Sequence, residues 1–87
     1  MPRVAKPYEG KVRKQLRRLG LHIRSLRFVR GLSQKELAEL AGLSPSSISR
    51  YEAGELDPTY TALESIAFGL GFDSVEDMLK ANPMEMA

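Results

Sequence analysis

The run Ser33-Gln-Lys-Glu-Leu-Ala-Glu-Leu-Ala-Gly-Leu-Ser-Pro-Ser-Ser-Ile-Ser-Arg-Tyr-Glu52 leaves the chain few ways to fold. Ser33 and Glu36 have the S-x-x-E spacing of a capping box, so a helix begins at Gln34. Leu37, Ala38, Leu40 and Ala41 supply its apolar side. Gly42 stands where a left-handed backbone conformation ends that helix, a conformation glycine adopts without a Cβ penalty. Ser44 and Pro45 then open a second helix, the hydroxyl as N-cap and the proline at a position whose N–H has no partner anyway. On that helix Ile48 and Tyr51 face inward, while Ser46, Ser47, Ser49 and Arg50 are left to face outward.

Spacing makes the pattern specific. Ala38 is the fifth residue from Gln34, where two helices meeting at a steep angle have room for only a small side chain, and Gly42 is the ninth. Leu37, Ala41, Leu43, Ile48 and Tyr51 occupy the positions that must be buried. A merely structural hairpin needs neither the small residue, nor the glycine, nor a hydroxyl-rich outer face. The stretch therefore reads as a helix-turn-helix whose second helix offers a narrow polar face suited to a DNA major groove.

At 87 residues the chain has room for one small helical core and no attached catalytic or ligand-binding domain. It has no cysteine, which excludes disulfides and thiolate metal sites and is compatible with a reducing compartment. No apolar run approaches a membrane span, and the N-terminus lacks the apolar core of a signal peptide, so a cytoplasmic protein is expected. The net charge of +2 conceals a polarity along the chain. Residues 1–30 carry ten Lys/Arg against the single acid Glu9, whereas residues 31–87 carry three bases against ten acids. A basic block beside a helix-turn-helix points to phosphate attraction.

Residues 1–10, with two prolines, a glycine and no apolar period, read as a flexible basic arm. Residues 11–81 form the folded domain, and residues 82–87 a tail. From Lys11 to about Val29 an apolar stripe of Leu16, Leu19, Ile23 and Leu26 predicts a first helix, with Gly20 marking a close helix contact and Gly31 closing it. Thr59 caps a fourth helix with Leu63, Ile66, Ala67 and Leu70 on one side. Asp73 or Ser74 caps a short fifth helix, which Asn82-Pro83 stops. The expected class is all-α: a compact five-helix domain with a central helix-turn-helix.

The chain resembles the Cro/cI-type (XRE family) helix-turn-helix transcriptional regulators of bacteria and phages. The residues that carry the likeness run from Leu19-Gly20, Ile23-Arg24 and Leu26-Arg27 through Gly31-Leu32-Ser33-Gln34, Glu36-Leu37-Ala38 and Ala41-Gly42-Leu43-Ser44. They continue through Ile48-Ser49-Arg50-Tyr51-Glu52, Gly54, Pro58, Leu63, Ile66-Ala67 and Leu70-Gly71. The resemblance implies the family's five-helix, lambda-repressor-like fold and a role in binding double-stranded DNA. It places Gln34 on a DNA phosphate, and Ser44, Pro45, Ser46, Ser49 and Arg50 on base edges or the adjoining backbone. Arg50 is the only long donor among these, and an Arg–guanine contact discriminates by about 1–3 kcal/mol. Ser33, Lys35, Ser47 and Arg24 are further phosphate candidates. The family's pairing of a first-helix Arg with a Glu late in the third helix falls on Arg27 and Glu52, a structural ion pair. In many relatives the loop after the third helix is basic; here it carries Glu55 and Asp57, which repel phosphate.

Other constellations carry little chemistry. His22 stands alone and is expected on the surface of the first helix, so neither a metal site nor a cofactor is expected. No phosphate-cradling glycine loop or nucleophile–base arrangement is present, so the chain is not read as an enzyme. A domain this small reads few base pairs, which predicts a homodimer on a near-palindromic operator, most simply as a repressor. Phe72, Val75, Met78 and Leu79 are the candidate dimer surface, with Met84 and Met86 as adaptable cover. The alternative is an antitoxin-type module whose acidic half binds a partner protein, a toxin, and which regulates its own operon.

Overall fold

The computed structural model describes residues 10–87. The basic arm read over residues 1–10 therefore lies outside the described residues except for Gly10. Six helices follow in order: α1 (Lys11–Val29), α2 (Gln34–Ala41), α3 (Pro45–Glu52), α4 (Tyr60–Gly69), α5 (Val75–Lys80) and α6 (Pro83–Met86). Among the described residues none is long and apolar enough to cross a membrane.

Each helix from α2 onward starts where its sequence provides an acceptor for the orphan N–H groups of the first turn. Ser33 Oγ accepts from the Glu36 amide at 3.0 Å while Glu36 Oε1 accepts from the Ser33 amide at 2.9 Å, the reciprocal capping box. The Ser33 amide, with a smaller contribution from the nearby Ser33 hydroxyl, holds the Glu36 carboxyl below its usual value of 4.5. Ser44, Thr59 and Ser74 cap α3, α4 and α5 through the hydroxyl contact alone, so the fifth helix uses Ser74 and not Asp73. At Gly42 the backbone turns left-handed (φ 68°), and the Leu43 amide reaches back to the Ala38 carbonyl at 2.9 Å. That closure ends α2 sharply enough for α3 to start at Pro45.

The core gathers Ile23 and Leu26 of α1, Leu37 and Ala38 of α2, Ile48 of α3, Ile66 and Ala67 of α4, and Val75 and Met78 of α5, with Leu70. Gly20 is where α3 lies against α1. A Cβ there would strike the carbonyl oxygens of Tyr51 and Glu52, the former at 2.5 Å. The close contact expected from the glycine is thus a backbone-to-backbone seat for the end of α3.

Four expectations need correction. Residues 83–86 form α6, which packs back on α1 with Met86 against the core; Asn82 Oδ1 accepts from the Met84 amide at 3.0 Å. The Asn-Pro pair that stops α5 therefore also caps and starts the next helix, by the Pro-at-first-turn rule that applies to α3. Leu40 is 60% exposed instead of lying on the buried side of α2. Gly69 of α4 crosses α2 over Leu37, Ala41 and the Cβ of Leu40, and as a glycine it has no side chain to cover the rest of Leu40. His22 is half-buried, and its Nε2–H donates to the Met78 carbonyl at 2.8 Å, joining α1 to α5. Val75 and Met78, read as dimer-surface candidates, are buried in the monomer core, where α5 packs against α4.

Candidate nucleic-acid interface

The aim of α3 is set from underneath. Ile48 is fully buried, Tyr51 packs at the core edge, and Glu52 is held by Arg27. Arg27 Nε donates to Glu52 Oε2 at 2.7 Å and Nη2 to Oε1 at 3.0 Å, while Nη1 donates to the Leu32 carbonyl at 2.8 Å. The two side chains are 7% and 3% exposed, and no buried side-chain polar atom among the described residues lacks a partner. A buried pair satisfied on every side fixes geometry, whereas losing one member strands a charge. Arg27 and Glu52 therefore brace α1, α3 and the chain entering α2.

Gln34 joins the same brace. Its Nε2 donates to Glu52 Oε1 at 3.1 Å, a link between the first residue of α2 and the last of α3. A primary amide has two N–H bonds, so the second remains for another acceptor. Ser33 and Lys35 flank Gln34 and are exposed. Arg24 is exposed one turn before Arg27, with its guanidinium 5.3 Å from the centre of the Phe28 ring. Ser33, Gln34 and Lys35 thus stand together at the start of α2, while Arg24 lies on α1 beside Phe28.

On α3 the outward residues separate by what their polar groups already do. Ser44 Oγ accepts from the Ser47 amide at 3.0 Å and donates to Ser47 Oγ at 2.9 Å, so its hydroxyl is committed to the cap. Pro45, Ser46, Ser49 and Arg50 are exposed, while Ser47 is half-buried. Arg50 Nε lies 3.9 Å from Glu55 Oε1, a neighbour that sequence reading treats only as a phosphate repellent. The missed signal is positional. Glu55 follows Gly54 directly, and the turn at Gly54 folds the chain back beside Arg50. The Gln34–Glu52 link has no local signature, because it joins residues 18 apart.

Among the described residues no cluster of three or more His, Cys, Asp or Glu could hold a metal ion. Comparison with known proteins agrees with the geometry. A helix-turn-helix domain family matches residues 18–79. A search of curated proteins gives no match. The restriction–modification controller protein C.AhdI from Aeromonas hydrophila superposes with a TM-score of 0.67 at 28% identity, over 85% of this chain and 98% of that one. The clp gene regulator ClgR from C. glutamicum gives a TM-score of 0.68 at 35% identity, over 82% of this chain and 87% of that one. An HTH_3 family transcriptional regulator from Vibrio cholerae gives 0.74 at 29% identity, over 86% of this chain and 42% of that longer one. With its helix-turn-helix braced on a fully satisfied ion pair, the chain belongs to the XRE-like helix-turn-helix family of DNA-binding transcriptional regulators.

Proposed function

We propose that the chain binds a near-palindromic operator as a homodimer, with α3 in the major groove, and represses transcription there. The observation that carries this is the division of α3: Ile48 and Glu52 anchor one side in the core while Ser46, Ser49 and Arg50 stand exposed on the other. Arg50 reads a guanine through its fork; Ser46 and Ser49 donate or accept and so tolerate more than one base. Pro45 offers a packing surface suited to a thymine methyl, and Ser44 adds its position to the base-facing side while its hydroxyl keeps the cap. Gln34, with its spare N–H, Ser33, Lys35, Ser47 and Arg24 engage phosphates and set register. Two copies on one operator place their half-sites about one helical turn, ~34–36 Å, apart.

Selection of bound DNA from a random pool, at stated salt, tests the reading. A palindrome should emerge, and Arg50→Ala should flatten the preference at one position in each half-site, a loss of about 1–3 kcal/mol of discrimination. Failure to enrich any sequence would sink it.

A further inference from the structure

We propose that Glu55 is a positioning residue for Arg50: it draws the guanidinium by its Nε edge and leaves the paired Nη groups directed outward for a guanine. The inference rests on the reading of α3 as the helix that faces bases. It also gives a role to the acid that otherwise only weakens the attraction between the α3–α4 loop and phosphate.

Glu55 does not sit on a loose loop. After Ala53 caps α3, Gly54 turns left-handed at φ 73°. The Gly54 amide then donates to the Tyr51 carbonyl at 3.1 Å, and the Glu55 amide to the Arg50 carbonyl at 2.9 Å. This is the Schellman closure, in which the second residue past the cap is tied to the third residue before it. Here those two residues are Glu55 and Arg50 themselves. The turn is also pressed onto α1: Gly54 is buried, and a Cβ on it would meet Arg17 Cγ at 3.0 Å and Arg17 Cα at 3.1 Å. Both side chains therefore leave from a backbone frame that helix, turn and α1 hold together.

Within that frame Glu55 Oε1 approaches Arg50 Nε to 3.9 Å. The distance suits an ion pair and is too long for a direct hydrogen bond. Both side chains are substantially exposed, so the pair adds little to folding. Its effect falls on the conformations of Arg50. A flexible side chain with four torsions reads a guanine well only when its planar fork arrives already oriented. A carboxylate on the Nε side selects orientations in which Nη1 and Nη2 point away from it, and those two groups match guanine O6 and N7. The same negative charge lowers the sequence-independent attraction to phosphate. Glu55 thus weakens grip on any DNA while sharpening the choice of one base.

The two effects separate in one experiment. The full chain selects its operator from a random pool, and wild type, Glu55→Ala, Glu55→Gln, Arg50→Ala and the Glu55→Ala/Arg50→Ala double variant are titrated at fixed salt. The DNA set covers the selected operator and each single-base change. Glu55→Ala and Glu55→Gln should bind non-specific DNA as tightly as wild type or more so. Their preference should fall by about 3–10-fold at the position that Arg50→Ala flattens, and nowhere else. The double variant should be no flatter there than Arg50→Ala alone, and thermal midpoints should coincide. An undiminished preference in Glu55→Ala, or an equal fall at every position, would overturn the proposal while leaving DNA reading by α3 intact. Failure of wild type to select any operator would remove both.

Discussion

Single residues divide here by whether their partners are near in sequence or only in space. Arg27 and Glu52 are 25 positions apart and form a bidentate pair with side chains 7% and 3% exposed. Glu52→Ala strands the Arg27 guanidinium and should cost about 3–5 kcal/mol. In a domain of this size that lowers the melting temperature by at least about 12 °C, which calorimetry would register; an unchanged midpoint would refute the assignment. Gly20→Ala should also destabilise, by about 1–3 kcal/mol, since the added methyl meets the Tyr51 and Glu52 carbonyls and α3 must shift to admit it. Family likeness makes the ion pair legible in the sequence, and helical spacing makes Gly20 legible. Gln34 is half legible. Its place at the head of α2 follows from the capping box, but its bond to Glu52 exists only once α3 is docked. Neither the pattern of charges nor a motif announces such a contact.

Helices are readable wherever their ends carry local chemistry. Ser33, Ser44 and Thr59 sit at the caps their spacing predicts, because an N-cap is settled by residues within one turn. What covers a helix is a different matter. Leu40 looks apolar-side from within α2 and is exposed because α4 meets it with Gly69, which has no side chain to cover it; α6 escapes because Asn82-Pro83 serves as stop and start at once. At this scale Ser44→Ala should cost about 1 kcal/mol and loosen the first turn of α3, a change visible as faster amide exchange at Ser46 and Ser47. The box at α2 adds a pH signature. Contacts with Ser33 lower the folded-state value of Glu36, so the ionised carboxylate stabilises the fold above its unfolded value and that contribution fades as pH falls through the depressed folded one. Denaturation of wild type and Glu36→Ala should therefore differ at neutral pH and converge in acid. A gap that persisted in strong acid would assign the effect to something other than charge.

Across the whole molecule, charge is unevenly divided along the chain. From Ser33 to Glu52 the motif holds two bases against three acids, whereas the first thirty residues hold ten bases against one acid. Deleting residues 1–10, which include Arg3 and Lys6, should weaken DNA binding and flatten its salt dependence, by about 0.9 in the log–log slope for each phosphate no longer neutralised. An unaltered slope would leave that arm without a part in binding. Of the four dimer candidates, Val75 and Met78 belong to the monomer and Phe72 lies half-buried under Arg30, which leaves Leu79 at 49% exposure. Leu79→Asp should shift sedimentation toward the monomer and make the melting temperature independent of protein concentration; an unchanged sedimentation coefficient would move the pairing surface elsewhere. The division of α3 has a consequence for descent as well. Ser46, Ser49 and Arg50 contribute nothing to the buried core, so each can be exchanged without a folding defect to repair. A duplicated copy of this chain could drift from one address on the chromosome to another through intermediates that all stay folded, as type is reset on an unchanged press.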